Sequence, residues 1–282
     1  MMTARTAQAP GAEEASEPYG LTDIEVSVVM PCLNEEEAIA FCIQKALEAF
    51  VDMDARGEVV VVDNGSTDRS SEIATAMGAR VVSEPDRGYG NAYRAGIKAA
   101  RGRYIVMGDS DGTYDFGDIP LFVEPLLNGT DMVIGSRFRG TIEPGAMPWL
   151  HRYIGNPLLT GFLNLLFAAG VSDAHCGMRS FSRQALEQLS LSAPGMEFAS
   201  ELIIEATRAG VRVQEVPIRY RPRAGGEPKL RTFRDGWRHV RLMLTKAFPT
   251  ELFGWGRGRG HSATTKDKDA AVSSGLRRSI EQ

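Results

Sequence analysis

Short runs rich in valine and isoleucine alternate along the chain with segments whose apolar residues recur at helical spacing. The runs are almost continuously hydrophobic, which is typical of strands covered on both faces. They occupy residues 24–30, 58–62, 80–83, 104–107 and 131–134. Helices are predicted after a capping box at Asn34 and Glu37, and over residues 70–77 and 91–100. This order predicts an α/β fold with right-handed crossovers and a mainly parallel sheet.

Acidic or small polar residues follow several of these strands where each strand ends. The residues concerned are Asn34, Glu35, Asp63, Asp109, Asp111 and, after the last strand, Arg137. Ligands of open α/β sheets bind outside the carboxyl ends of the strands. Taken singly, each residue could cap a helix or form a turn. Carboxylates from three strands that meet at one edge need a cation to neutralise them, so the set favours a cation site.

Asp109 and Asp111, one residue apart, are predicted to bind Mg²⁺ or Mn²⁺. Carboxylate oxygens suit these ions, which usually retain water and bridge to substrate phosphates. Such a metal makes a diphosphate a better leaving group. A dinucleotide site is disfavoured because the glycine-rich residues 88–93 lack a third glycine and do not follow the first strand, and no P-loop motif occurs.

Composition limits the class of protein further. The chain has 282 residues, 43% of them hydrophobic, and a net charge of −4. This fits a folded protein with a buried core and argues against a general nucleic-acid binder. Three cysteines without metal-binding spacing indicate a reducing compartment. With no apolar signal segment at the start and no spanning run of ~18 apolar residues, we expect a cytoplasmic protein.

Six blocks of sequence occur in the order found in family 2 glycosyltransferases of the GT-A fold. They are MPCLNEEEAI, VVDNGSTDRS, RGYGNAYRAGIKAARG, YIVMGDSDGTYD, VIGSRF and DAHCGMRSF. Over residues 24–253 the chain resembles this family, and within it the dolichyl- and polyprenyl-phosphate mannose and glucose synthases. The resemblance implies a single domain with a Rossmann-like, mainly parallel central sheet flanked by helices.

The chain is thereby divided into four parts. Residues 1–23 and 254–282 are polar and are predicted to be a disordered leader and a disordered tail. Residues 24–140 are expected to form the nucleotide-sugar-binding half of the GT-A domain. Residues 141–253 are expected to form the acceptor-binding half, which includes a basic C-terminal helix.

The resemblance also implies roles for individual residues. Those that would line the nucleotide pocket are Pro31, Asn34, Glu35 and Asp63. Asp109 and Asp111 would bind the metal and the diphosphate of the sugar nucleotide, which places Asp111 at the chemistry. Arg137 would lie near the phosphates.

The acceptor half contains a further matching block at residues 173–179, with Asp173, His175 and Arg179. Arg179 is expected to hold the phosphate of the acceptor. Glu197, at a predicted helix start, is placed by the resemblance near the sugar or the acceptor, although the helix dipole alone favours an acid there. An acceptor hydroxyl would need a base, for which Asp173, His175 and Glu197 are the candidates. A phosphate monoester, with a second pKa near ~6, is already a dianion at neutral pH and needs none.

Basic residues concentrate between residues 219 and 246, where Glu227 and Asp235 are the only acids. This block indicates an anionic partner, and a solvated basic helix is the alternative. Its segment RPRAGGEPKL resembles a family loop whose basic residues hold donor or acceptor phosphates. Arg223 and Lys229 are the residues so implied, with Pro228 where the family usually has serine.

Residues 158–171 are uncharged but too few to span a membrane. They form either a buried core helix or an interfacial helix on a bilayer, where a polyprenyl acceptor would reside. The interfacial alternative predicts peripheral contact with an anionic membrane, at the inner face of the cell membrane.

The function predicted from the sequence is inverting transfer of a hexose from UDP-glucose or GDP-mannose to a polyprenyl phosphate, by direct displacement at the anomeric carbon. One alternative keeps the same donor and uses a soluble acceptor, either a small phosphorylated acid or a glycan hydroxyl. A second alternative is a sugar-nucleotide-binding protein without activity.

Overall fold

Seven strands form one mixed sheet in the computed structural model, which describes residues 25–226 and 232–248. The strands are β1 (Val26–Cys32), β2 (Gly57–Asp63), β3 (Arg80–Ser83), β4 (Tyr104–Met107), β5 (Met132–Ile142), β6 (Arg179–Ser182) and β7 (Val213–Tyr220). Their spatial order is β3-β2-β1-β4-β6-β5-β7. Within this sheet β6 runs antiparallel to both neighbours, and the remaining pairs are parallel. The predicted α/β fold with a mainly parallel sheet is confirmed.

Helices pack against both faces of the sheet. They are α1 (Ile39–Asp52), α2 (Ser70–Ala76), α3 (Tyr89–Ala99), α4 (Ile119–Leu127), α5 (Asn156–Phe167), α6 (Arg183–Leu186), α7 (Phe198–Arg208) and α8 (Thr232–Ala247). A π-helical turn, His151–Gly155, leads directly into α5. All but one residue of β1 are buried, and successive side chains of a strand point to opposite faces, so both faces are covered.

The predicted capping box of α1 is wrong. The helix begins at Ile39, and Ala38 precedes it without a side-chain cap. Asn34 lies in the left-handed region, with φ of 56°, and its side chain accepts a hydrogen bond from the main chain of Thr67 instead. The side-chain oxygen of Asn34, which was expected to cap α1, therefore binds the loop after β2.

The last predicted strand also differs from the structure. It was expected to end at residue 134, with Arg137 beyond it, but β5 continues to Ile142. The extension is stabilised by β7, whose Val216 and Pro217 lie opposite Gly135 and Ser136. Arg137 is consequently a strand residue with a fixed direction.

Both predicted halves of the domain contribute to the same sheet. The structure up to Ala247 is one compact unit, in which β6 lies between β4 and β5. Residues 1–23 and 254–282, for which disorder was predicted, and Lys229 lie outside the described residues. Among the described helices, none is long and apolar enough to cross a membrane.

Candidate functional site

The carboxyl ends of β1, β2 and β4 meet at one edge of the sheet. The register places Cys32, the last residue of β1, beside Asp63, the last residue of β2. It also places Val29 beside Met107, at the end of β4. The polar residues that follow the three strands are therefore neighbours, as their positions in the sequence predicted.

Pro31, Asn34 and Asp63 shape one wall of this edge. The carbonyl oxygen of Pro31 accepts a hydrogen bond from Ser110 Oγ at 2.7 Å, which joins β1 to the turn after β4. Asn34 Oδ1 accepts from the main-chain N–H of Thr67 at 2.7 Å, and asparagine tolerates the positive φ that this contact requires. One oxygen of Asp63 accepts from the N–H three residues further on, at 2.8 Å.

Two tyrosine hydroxyls hold the first carboxylate of the DSD sequence. Tyr89 and Tyr93, one turn apart on α3, donate to Asp109 Oδ1 at 3.0 and 3.1 Å. Removal from water, together with the negative charge of Asp111, raises the pKa of Asp109 to about 6. The pKa values of both tyrosines are raised well above 10 by burial, so the hydroxyls remain protonated donors at neutral pH.

A single guanidinium pairs with two carboxylates of the edge. Asp111 Oδ1 accepts from the main-chain N–H and the hydroxyl of Thr113, at 3.0 and 2.6 Å. Asp111 Oδ2 accepts from Arg223 Nη1 at 2.7 Å. The other terminal nitrogen of Arg223 donates to Glu35 Oε1. Arg223 thus joins the loop after β1 to the turn after β4.

The segment after β7 carries Arg223 across the DSD turn. The N–H of Ala224 donates to the carbonyl oxygen of Asp111 at 3.1 Å. Arg221 forms an ion pair with Asp115 at 2.7 Å. Gly225 lies so close to Glu37 that a Cβ would collide with its carboxylate, which explains the glycine in this segment.

The edge is rich in carboxylates. It concentrates three of them from two loops, and one guanidinium pairs with two of the three, so a net negative charge remains. The described residues include no group of three or more His, Cys, Asp or Glu side chains arranged around a metal. Two carboxylates suit Mg²⁺ or Mn²⁺ nevertheless, because these ions complete their coordination with water and substrate phosphates.

Arg137 and Asp173 form a buried bidentate ion pair. Arg137 Nε and Nη2 each donate to one carboxylate oxygen of Asp173, both at 2.7 Å. The guanidinium also lies over the ring of Tyr220, 5.3 Å from its centroid. Because both side chains are buried and bound to each other, neither is free to contact a substrate, and we withdraw the predictions that Arg137 lies at the phosphates and that Asp173 acts in catalysis.

Arg179 is likewise a buried structural residue. Its nitrogens donate to the carbonyl oxygens of Ala174, Cys176 and Ala199 at 2.7–3.0 Å, and the residue is fully buried. These contacts fix residues 173–179 against α7. A phosphate on the surface has no access to this guanidinium, so the predicted phosphate contact of Arg179 is withdrawn.

Glu197 and His175 lie between α7 and α8. Glu197 Oε1 accepts from Arg238 Nη2 at 2.8 Å, while Oε2 is buried without a hydrogen-bond partner. His175 Nε2 lies 3.1 Å from Ser200 Oγ, which is 2.7 Å from His239 Nδ1. Burial lowers the pKa of His175 well below 6.5 and that of His239 to about 4, so both rings are neutral at pH 7.

The sequence analysis did not identify the residues that contact the site but do not follow strands of the edge. Tyr89 and Tyr93 were read only as part of a glycine-rich stretch, although their spacing of four places both on one face of a helix. Arg221, which fixes the segment after β7, was counted only as one charge of a basic block. Its pairing with Asp115 joins residues 106 positions apart.

Comparisons with known proteins agree with this geometry. The sequence model of glycosyl transferase family 2 matches residues 27–190, more than half of the chain. The low-salt glycan biosynthesis hexosyltransferase Agl6 of Haloferax volcanii is 53% identical over 81% of this chain, and the match spans 55% of Agl6. The dolichyl-phosphate hexose transferase of the same organism is 38% identical over 75% of this chain and 89% of its own length.

Solved structures of the GT-A fold match as well. Glucosyl-3-phosphoglycerate synthase from Mycobacterium tuberculosis, crystallised with Mn²⁺, uridine diphosphate and glucosyl-3-phosphoglycerate, has a TM-score of 0.63 at 29% identity. The match covers 79% of this chain and 80% of the synthase. Motifs, sheet and family match agree, and the chain belongs to glycosyltransferase family 2.

Proposed function

We propose that the chain transfers a hexose from a nucleotide-diphospho-sugar to a polyprenyl phosphate, with inversion at the anomeric carbon. The observation that carries the proposal is the paired carboxylates Asp109 and Asp111 beside the cationic Arg223, at the carboxyl edge of the sheet. This is where ligands of open α/β sheets bind.

The donor would lie along the edge formed by β1, β2 and β4. Pro31, Asn34, Glu35 and Asp63 would line its nucleotide pocket. Mg²⁺ or Mn²⁺ held by Asp109 and Asp111 would supply Lewis-acid stabilisation of the departing diphosphate. Support comes from the mycobacterial synthase, which was crystallised with Mn²⁺ and UDP-glucose.

Arg223 would serve the donor phosphates with the same guanidinium that now pairs with Asp111 and Glu35. A planar guanidinium binds phosphate oxygens as well as carboxylates. The loop that carries Arg223 crosses the turn of the metal-binding residues, so the side chain needs to move only a short distance between the two partners.

The acceptor proposal rests on the state of the two candidate bases in residues 173–179, neither of which is free to accept a proton from a hydroxyl. Asp173 is bound to Arg137, and His175 is a half-buried neutral ring whose Nε2 lies beside Ser200. A phosphate monoester is a dianion at pH 7 and attacks without a base. The dolichyl-phosphate hexose transferase of Haloferax volcanii, 38% identical, gives independent support. Glu197 remains the proposed contact to the sugar or the acceptor.

A soluble phosphorylated acid is the second candidate acceptor, because the synthase of similar structure was crystallised with phosphoglyceric acid. A panel of UDP-glucose, GDP-mannose and UDP-GlcNAc, each offered with polyprenyl phosphate or 3-phosphoglycerate in the presence of Mn²⁺, tests both. Transfer to polyprenyl phosphate is expected. Transfer to 3-phosphoglycerate alone would replace the proposal by the alternative, and no transfer from any donor would refute the activity.

Replacing Lys229 with alanine is expected to lower kcat/KM for the polyprenyl phosphate about 10- to 100-fold and to leave the donor KM unchanged. A charge-assisted contact to a phosphate contributes ~1.5–3 kcal/mol. Steady-state kinetics with each substrate varied in turn measures the effect. Lys98→Ala, at an exposed lysine of α3, is the matched control. Equal losses for donor and acceptor would assign Lys229 to the donor.

The affinity for Mn²⁺ is expected to weaken as the pH falls through about 6. The pKa of Asp109 is raised to about 6, so below this value a proton competes with the metal, and the affinity should fall roughly tenfold per pH unit. Electron paramagnetic resonance of free Mn²⁺ between pH 7.5 and 5 measures it. Tyr93→Phe removes a hydroxyl that lowers the pKa of Asp109, so its transition should lie at higher pH. An affinity for Mn²⁺ that does not change between pH 7.5 and 5 would contradict the assignment of Asp109 as a metal ligand.

A further inference from the structure

Large apolar side chains form an exposed stripe on α5 and on the turn before it. Trp149, Tyr153, Leu158 and Leu165 are 65%, 59%, 68% and 80% exposed. The steps of four and seven residues between them are the spacing of one helix face, and the step of five starts in the π-helical turn. The buried side chains of α5 are Thr160 and Leu163. One face of α5 packs on the core and the other is exposed, so the segment 158–171 does not form a fully buried helix.

Helix α8 has a matching stripe. Phe233 and Trp237, one turn apart, are 86% and 64% exposed, and Leu244 continues the same face. The opposite face, with Asp235, His239 and Met243, is buried. The helix is amphipathic, and its solvent-facing side carries three large apolar side chains.

The two helices run side by side in the same direction. At their beginnings, His151 Nε2 lies 2.9 Å from Thr232 Oγ1. At their ends, Arg208 of α7 bridges them: its guanidinium lies 5.6 Å from the centroid of the Phe167 ring and donates to the carbonyl oxygen of Lys246. The outward faces are therefore adjacent. We call them the two-helix surface, formed by Trp149, Tyr153, Leu158, Leu165, Phe233, Trp237 and Leu244.

The charges on the two-helix surface are positive. Arg234 and Arg241 are exposed on α8, and Arg152 lies over the ring of Tyr153. In the turn, α5 and α8, the one acidic residue is Asp235, which is buried. A second copy of the chain on this surface would bring arginines against arginines, which disfavours self-association.

We propose that the two-helix surface docks on the headgroup region of an anionic lipid bilayer. Soluble proteins seldom expose an apolar patch of this extent. Tryptophan and tyrosine prefer the boundary between headgroups and acyl chains, and arginines beside them attract anionic lipids. The helices would lie in the plane of the membrane, with their apolar faces inserted and their buried faces on the domain.

The surface lies close to the donor edge. Gly226 lies beside Asn34, and six residue steps separate it from Thr232 at the start of α8, a reach of at most ~22 Å. A lipid acceptor in the bilayer would thus be presented near the carboxylates. This last step rests on the proposed function, whereas the docking itself does not.

Sedimentation of the full chain with vesicles tests the docking without donor or acceptor. Binding is expected to vesicles of phosphatidylglycerol and phosphatidylcholine, and at least tenfold less to phosphatidylcholine alone. Leu165→Asp and Trp237→Asp should each weaken binding to the anionic vesicles at least tenfold. Val51→Asp on α1 is the matched control, since Val51 is also 80% exposed and near a helix end. Its binding should equal that of the original chain.

Three outcomes would overturn the docking proposal. They are no sedimentation with anionic vesicles, equal losses in Val51→Asp and Leu165→Asp, and a dimer in analytical ultracentrifugation that Trp237→Asp dissociates, which would assign the surface to a second copy. The proposed transfer activity can fail separately. Vesicle binding without transfer to polyprenyl phosphate would support the docking proposal and refute polyprenyl phosphate as the acceptor.

Discussion

Replacing Asp111 with asparagine is expected to abolish sugar transfer and to leave the fold intact. Asp111 would be a ligand of the metal that stabilises the departing diphosphate, a contribution of several kcal/mol. At ~1.4 kcal/mol for each factor of ten, turnover should fall by about 1000-fold or more. Turnover with Mn²⁺ and with EDTA measures the effect, and circular dichroism checks the fold.

The contacts of Asp111 explain why the fold should survive. Asparagine keeps an oxygen that can accept from Thr113, and after loss of its ion pair with Asp111 the guanidinium of Arg223 still pairs with Glu35. Asp131→Asn is the control, because Asp131 also accepts from an arginine, Arg212, but at the far end of β5. Near-normal turnover of the Asp111 variant in EDTA would refute the metal assignment.

Replacing Asp173 with alanine is expected to destabilise the protein by about 3–5 kcal/mol, because it leaves the guanidinium of Arg137 buried without its counter-charge. For a domain of this size, each kcal/mol lowers Tm by about 2–4 °C, so the expected loss is roughly 6–20 °C. Thermal unfolding measures it. The double variant Arg137→Met, Asp173→Leu removes both charges and should lose much less than the single variant.

The same experiment separates a structural from a catalytic Asp173. A structural residue lowers Tm first, and activity at low temperature follows the folded fraction. Asp131→Ala, which breaks the exposed pair with Arg212, should leave Tm nearly unchanged. An Asp173→Ala protein with unchanged Tm and no turnover would return Asp173 to the catalytic residues.

The strands, and the edge at which β1, β2 and β4 end together, were predictable from the sequence because their signals are local. Continuous hydrophobic runs identify β1, β2 and β4, and the position of Asp109 and Asp111 directly after a strand decides at which edge they lie. Because β1 pairs in parallel with β2 and β4, the loops that follow these three strands lie at the same edge of the sheet.

The remaining features depend on contacts between distant residues. The extension of β5 past Ile134 requires β7, about 80 positions later. Arg137 resembles a phosphate ligand until Asp173, 36 positions away, is found within hydrogen-bond distance. The apolar composition of residues 158–171 fits a buried helix and an exposed helix equally well. Only the packing of α5 on the domain distinguishes the two.

On the proposed function, the ion pairs of Arg223 would affect the order of events during turnover. Its guanidinium bonds with the same Asp111 oxygen that a metal entering along that direction would need. Metal and arginine would then compete for one carboxylate, so the free energy of metal binding would include the cost of breaking the ion pair between Arg223 and Asp111. If the nucleotide diphosphate left with its metal, Arg223 could pair with Asp111 again, and this pairing would oppose rebinding of the product. The loop that carries Arg223 would thereby couple product release to the resetting of the site.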